Sequence, residues 1–310
     1  VLATAFRRGV SPMTRFDSKP VVIDAGDRIW RVTNYEGSYL GTASLSRAMV
    51  SSDNAVYAQL TEFVGPDAIV ETAHDLGIRS DLPSYFSIGL GAVAVNPLDM
   101  TRAYATIAND GARVDGSLMG NRPRVVDEVG YRKSGRRKTN DPVEKEILSE
   151  ETARTVTSML EDVLADGTGK RAALPGRSEA GKTGTTDNYG DAWFVGYTPE
   201  LVVAVWVGYP NELRPMLTEY GGKPVAGGTL PALIWKSFMT RALRDTEGSL
   251  FAGAPYLPAE YRRGRISAPP EHCRSGTALS LRLRFASPKG DEGDVAASTR
   301  SSASRRRRAS

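Results

Sequence analysis

Two short strings in this 310-residue chain share one lysine and imply different chemistry. Gly176-Arg177-Ser178-Glu179-Ala180-Gly181-Lys182-Thr183 matches the pattern of a P-loop, whose backbone cradles nucleotide phosphates, letter for letter. Such a loop needs a buried strand before it and a helix after it, because the free N–H groups of the helix start bind the anion. Residues 169–175 are not an apolar run, and Gly184, Asp187, Asn188 and Gly190 do not read as a helix. Val21-Val22-Ile23-Asp24 mimics the metal-binding strand of a nucleotide site but lies upstream, against the usual order. The other reading takes Lys182-Thr183-Gly184 as part of an edge strand and pairs it with Ser52-Asp53-Asn54 some 130 residues earlier. A serine beside a lysine can relay a proton in acyl transfer, and an asparagine amide can orient a substrate carbonyl. A lysine-bearing strand adds positive field and hydroxyls for a carboxylate, and Gly184 lets a substrate backbone approach closely.

These residues need elements to hold them. Residues 1–37 read as irregular, with a short apolar run at Val21 to Ile23. Thr42 reads as the N-cap of a helix over residues 43–50, and helical period over 55–64 runs to a Gly65-Pro66 break. Pro66 then opens a helix ended by Gly77. Asn96-Pro97 opens another, with Leu98, Ala103, Tyr104, Ile107 and Ala108 as its apolar stripe and Gly111 as its stop. Residues 131–138 carry five basic groups without apolar period and read as an exposed loop. Ser149-Glu150-Glu151 begins a helix with acids at its positive end. After Gly167 the period changes to two: residues 180–186, 192–197 and 201–209 read as successive strands, with Thr198-Pro199-Glu200 as a tight turn. Helical period resumes over 230–243 through Leu233, Ile234, Phe238 and Leu243. Helices before and after a β-meander make an α+β chain with an antiparallel sheet packed with helices.

Composition narrows the classes. With 40% hydrophobic and 25% charged residues, the chain suits a globular domain. The best apolar run, residues 201–207, is far below the roughly 18 residues a membrane span needs. The net charge of +4 does not point to nucleic acid. Residues 286–310 carry six basic side chains against three acidic ones, so three of the four charges sit there and the body is near neutral. That serine-rich stretch, ending in Arg305 to Arg308, is too apolar-poor to offset ordering entropy and is expected to be disordered. One cysteine excludes an internal disulfide and a cysteine-based zinc site, and two histidines leave little for metal or triad chemistry. His74 reads as a packed structural histidine beside Ile69, Ala73 and Leu76. His272 and Cys273 lack a third group that would orient a thiol–imidazole pair.

Three longer segments carry a resemblance. YEGSYLGTASLSRAMVSSDNAVYAQLTEFV (residues 35–64), LGAVAVNPLDMTRAYATIANDG (90–111) and AGKTGTTDNYGDAWFVGYTPELVVAVWVG (180–208) resemble, in order, segments of class A penicillin-binding proteins, the peptidoglycan synthases. The likeness covers roughly residues 30–240, about two-thirds of the chain. It implies a D,D-transpeptidase domain over residues 1–250, a Pro/Arg-rich extension over 251–285 and the basic tail. It implies peptidoglycan stem peptides and β-lactam antibiotics as partners, no metal or organic cofactor, no nucleic acid, and work on the outer face of the cytoplasmic membrane. By the same resemblance Ser52 passes a proton between a catalytic lysine and the leaving amine, and Asn54 holds the substrate amide. Lys182 lies near Ser52 and raises the local positive potential. Thr183 and Thr185 bind the terminal carboxylate of D-Ala-D-Ala, and the Thr185 N–H serves the oxyanion. Gly184 and Thr186 belong to the substrate cleft, while Thr186, Asn188 and Tyr189 suit either a cleft rim or a structural turn.

One departure stands out. No lysine here has a serine three positions before it, so the family's S-x-x-K element, with its nucleophile and base, is absent. Residues 1–6 resemble the stretch that follows that element, so the reading expects an N-terminal truncation just after it. The first two core strands, the glycosyltransferase domain and the membrane anchor of the parent would be missing too. The strand over 201–209 then has an apolar open edge, and the chain is expected neither to acylate with penicillin nor to fold robustly. Two other readings remain: a non-catalytic penicillin- or peptidoglycan-binding module, and a P-loop nucleotide binder. A class A β-lactamase fits poorly, because it needs a glutamate in an interval where none occurs between Glu71 and Glu128.

Overall fold

The computed structural model describes residues 1–25 and 29–252. The basic tail, the His272–Cys273 pair and nearly all of the Pro/Arg-rich extension lie outside those residues.

The N-terminal region is built of short pieces: α1 (Leu2–Arg7), β1 (Arg15–Ser18), β2 (Val21–Asp24), β3 (Ile29–Val32) and β4 (Gly41–Ser44). β1 pairs antiparallel with β4, and β2 with β3. The expectation of irregular structure before residue 37 therefore fails: the strands are four residues long, and the residue types of RFDS, VVID and IWRV do not alternate even where burial does. α2 (Leu45–Ser51) starts later than expected, because Ser44, not Thr42, is its N-cap and accepts from the Arg47 N–H at 3.2 Å. α3 (Asn54–Val64) and α4 (Pro66–Leu76) follow, meeting at Gly65. His74 is exposed rather than packed. Its Nδ1 lies 2.9 Å from the Ile78 carbonyl, where it closes the end of α4.

α5 (Pro97–Ala108) begins at the Asn96 cap and buries Ala103 and Ile107, but Leu98 sits at its exposed start. β5 (Ala112–Gly116) pairs with β8 (Pro142–Glu146), and β6 (Glu128–Gly130) with β7 (Arg137–Thr139). The basic stretch expected as a loop is thus the exposed tip and second strand of a hairpin, in which Arg137 meets Glu128 at 3.0 Å. α6 (Glu150–Asp166), capped by Ser149, packs on β9 (Ala180–Thr185). β9, β10 (Asp191–Tyr197) and β11 (Val202–Gly208) form the central antiparallel sheet in the order β11–β10–β9.

Alternation along β10 divides the core into layers. Tyr197 points to α5 and α6, with its hydroxyl 2.9 Å from Thr157 Oγ1 and its ring edge-on to Tyr104. Phe194 points the other way, edge-on to Trp235 of α7 (Leu230–Ala242), and the Trp235 indole donates to the Gly196 carbonyl at 3.2 Å. Both faces of β10 are therefore buried, which makes the sheet the middle layer of an α+β fold. α7 corrects one expectation: it buries Pro231, Ala232, Trp235 and Met239, while Leu233, Ile234 and Phe238 face outward. Both stripes have helical spacing, and the large indole decides which one enters the core. Leu243, just beyond the helix, is buried as expected. Among the described residues β11 pairs only with β10, so its other edge is open as anticipated.

Candidate active site

The first wall of the site is the junction between α2 and α3. α2 ends at Ser52, whose backbone is left-handed (φ 56°, ψ 49°). That conformation costs a non-glycine residue roughly 1–2 kcal/mol, so the surroundings must hold it. They do so through the next residue. Asp53 is only 2% exposed, and its Oδ1 caps α3 by accepting from the Val56 N–H at 2.9 Å. Its Oδ2 accepts from the Ser18 hydroxyl at 2.5 Å. Ser18 in turn accepts from the Leu40 N–H (3.0 Å) and Asn34 Nδ2 (3.3 Å), and Asn34 Oδ1 accepts from the Ala55 N–H at 2.8 Å. The middle residue of Ser52-Asp53-Asn54 is thus structural, while its neighbours face the cleft half-buried. Asn54 donates one long bond, 3.3 Å, to the Thr33 carbonyl, which leaves its amide able to bind another group.

The second wall is β9. Lys182 reaches across 130 residues of sequence, and its Nζ donates to Ser52 Oγ at 2.8 Å and to the Thr183 carbonyl at 3.0 Å. Burial pushes the Lys182 ammonium down to about 8, well under its ordinary range. Near neutral pH it is therefore a cation that releases its proton easily. Because Ser52 Oγ accepts from the ammonium, its own proton remains free to be donated. Thr183 Oγ1 lies 2.6 Å from Thr168 Oγ1, in the loop after α6. Thr185 Oγ1 accepts from the Gly227 N–H at 3.0 Å, which leaves the Thr185 proton for an acceptor in the cleft.

Gly184 has a further reason to lack a side chain. An added Cβ there would come within 3.2 Å of Trp193 Cβ, and one at Gly227 within 2.5 Å of the Gly184 carbonyl oxygen. The segment before α7 thus packs backbone-to-backbone on the Lys182-Thr183-Gly184 strand. Thr186 holds the turn: its Oγ1 accepts from the Asp191 N–H at 2.7 Å and its N–H donates to the Asp191 carbonyl at 3.0 Å.

The structure joins Lys182 to Ser52 and to Thr183, places Thr185 two residues further along β9, and puts Asn54 on the same wall as Ser52. Ser18, Asn34, Thr168 and Gly227 escaped the sequence reading, and the one available signal was the Gly227-Gly228 pair ahead of a helix. The P-loop reading is overturned. Its lysine and threonine lie in a strand, and a single 3₁₀ turn at Asp187–Tyr189 follows, so no helix start faces the loop.

The penicillin-binding protein transpeptidase domain model matches residues 1–232. The chain belongs to that family. It is 33% identical over 241 residues to penicillin-binding protein 1A of Aquifex aeolicus, covering 77% of this chain and 31% of that one. It is 30% identical over 259 residues to penicillin-binding protein 1A of Neisseria cinerea, covering 80% and 31%. The chain therefore spans about a third of the length of the curated relatives it matches. Among solved structures, penicillin-binding protein PonA1 from Mycobacterium tuberculosis superposes with a TM-score of 0.71 at 29% identity, covering 87% of this chain and 73% of that one. The same protein in complex with penicillin V gives 0.69, covering 83% and 73%. No helix among the described residues is long and apolar enough to cross a membrane.

Proposed function

We propose that this site is the proton-relay and carboxylate-binding part of a serine-type D,D-transpeptidase, which cross-links D-Ala-D-Ala stem peptides of peptidoglycan on the outer side of the cytoplasmic membrane. The observation that carries the reading is the Lys182–Ser52 bond, 2.8 Å long between residues 130 apart. In the reaction a serine hydroxyl attacks the penultimate D-Ala carbonyl, and the C–N bond to the terminal D-Ala breaks as its nitrogen takes up a proton. An amine of a second stem peptide then displaces the serine and forms the cross-link. Ser52, polarised by Lys182, delivers the proton to the leaving amine. The Asn54 amide orients the peptide carbonyl, and the Thr183 and Thr185 hydroxyls hold the terminal carboxylate in the field of Lys182. A β-lactam presents a similar carboxylate and amide and takes the same place. The chemistry calls for no metal or organic cofactor.

The attacking serine of an S-x-x-K element does not occur in residues 1–310. The test is therefore to read the coding DNA upstream of Val1 and to express both lengths of chain with a fluorescent penicillin. The reading expects an in-frame S-x-x-K, a stoichiometric ester on its serine in the longer chain, and no adduct on the 310-residue chain. An adduct on the shorter chain would refute the assignment of roles. A reading frame without S-x-x-K would replace catalysis with binding alone.

A further inference from the structure

Five non-glycine residues among those described have a left-handed backbone, and four of them surround the cleft: Glu36 (φ 51°), Ser52 (56°), Asn188 (57°) and Tyr189 (59°). Ser52 is explained by its place at the end of α2 beside the anchored Asp53. The other three belong to two exposed turns, residues 35–37 and 187–189, one on each wall. Backbone strain of this kind persists where the surrounding structure enforces it and clusters at ligand clamps and switches.

The tips of the two turns meet. Tyr35 Oη and Tyr189 Oη are 2.5 Å apart, and the rings stand edge-on with centroids 6.5 Å apart. The contact is not core packing, since Tyr35 is 64% exposed. Each phenol is tied to catalytic machinery on its own side. Tyr35 follows Asn34, whose side chain binds the Ala55 N–H beside Asn54. Tyr189 closes the turn that starts at Thr186, next to Thr185, and its carbonyl accepts from the Met216 N–H at 3.0 Å. Two anchored turns, one following Asn34 and one following Thr186, therefore meet through their tyrosine side chains.

We propose that Tyr35 and Tyr189 form a latch across the cleft, which a peptide ending in D-Ala-D-Ala must part before it lies along β9, so that the pair sets how easily the site admits ligands. This rests on the carboxylate-binding reading given above. A binding-competent state populated only in part weakens the observed affinity by that fraction, so breaking the latch strengthens binding. One hydrogen bond between exposed groups corresponds to about two- to tenfold.

The contact can be followed without ligand. The bond to Tyr189 pushes the Tyr35 phenol up to about 12, and Glu36 beside it acts in the same direction. In NMR spectra of the chain with ring-labelled tyrosine, assigned by Tyr35→Phe, the Tyr35 signal should titrate markedly lower in Tyr189→Phe. Adding an N-acetylated peptide ending in D-Ala-D-Ala should move the wild-type Tyr35 signal to its position in Tyr189→Phe. Tyr35→Phe and Tyr189→Phe should each bind that peptide two- to tenfold more tightly, and the double variant no more tightly than either, because one bond is lost in all three. Unchanged or weaker binding in the variants, or additive gains, would overturn the latch alone. Peptide binding that leaves the Tyr35 signal of the wild type in place would do the same. Failure of wild type and all variants to bind would overturn the carboxylate-binding reading and the latch with it.

Discussion

Replacing Asp53 with alanine tests whether the buried centre of Ser52-Asp53-Asn54 is what holds the cleft in shape. The substitution removes the N-cap of α3, which typically costs about 1 kcal/mol. It also strips the buried Ser18 hydroxyl of its acceptor, an unsatisfied group worth about 1–3 kcal/mol. The loss of stability should be about 2–4 kcal/mol in all, or a fall in Tm of about 5–15 °C for a domain of this size. Asp53→Asn keeps one oxygen for the Val56 N–H but sets an NH2 donor opposite the Ser18 hydroxyl, so it should spare the cap, still lose the Ser18 bond and cost about 1–3 kcal/mol, less than alanine. Urea unfolding followed by tryptophan fluorescence measures both. The alanine variant should also bind D-Ala-D-Ala peptide more weakly when still folded, because Ser52 loses the neighbour that fixes its left-handed backbone. An alanine variant within about 0.5 kcal/mol of wild type, a change typical of an ordinary surface site, would refute the reasoning.

Three further outcomes follow from the same structure. The positive charge of Lys182 is present below about pH 8 and is lost above it, so affinity for a carboxylate-ended peptide should fall as pH rises from neutrality through that region. An affinity flat from pH 7 to about 10, where an ordinary lysine begins to titrate, would remove Lys182 from the carboxylate site. Far from the cleft, buried Asp115 pairs with Arg102 and with Arg113, the latter at 2.9 Å, so Asp115→Ala should destabilise by about 3–5 kcal/mol in urea unfolding while peptide affinity in the folded protein is unchanged. The open edge of β11 beside exposed Leu233, Ile234 and Phe238 should make the chain self-associate. Sedimentation should show concentration-dependent association that Phe238→Lys reduces, and a monomer indifferent to that change would count against the edge as the cause.

What could be seen in the sequence was the local chemistry. Lys182-Thr183-Gly184 sits in a six-residue strand, and the pairing of Ser52 with Lys182 followed from resemblance, since nothing local links residues 130 apart. The supports of the site were hidden. Ser18 and Asn34 lie on or beside four-residue strands and act through side-chain bonds that leave no periodic trace. Asp53 looked like one member of a functional triplet, although its burial makes it a cap and a brace. α7 was found at the right place with the wrong face inward, because two apolar stripes compete there and only the tertiary fit of Trp235 between Phe194 and Gly196 separates them. The Tyr35–Tyr189 contact joins two turns 154 residues apart, and each tyrosine alone is an ordinary loop residue.

The central claim is that Lys182, Thr183 and Thr185 form a seat for a terminal carboxylate beside Ser52. It is tested most directly by titrating the chain at neutral pH with an N-acetylated D-Ala-D-Ala peptide, with the same peptide as its C-terminal amide, and with Thr183→Val and Thr185→Val variants. The account predicts that the free acid binds, that the amide binds at least about tenfold more weakly because it lacks the charge, and that each valine weakens only the acid. Equal binding of acid and amide, or full binding by both valine variants, would contradict it.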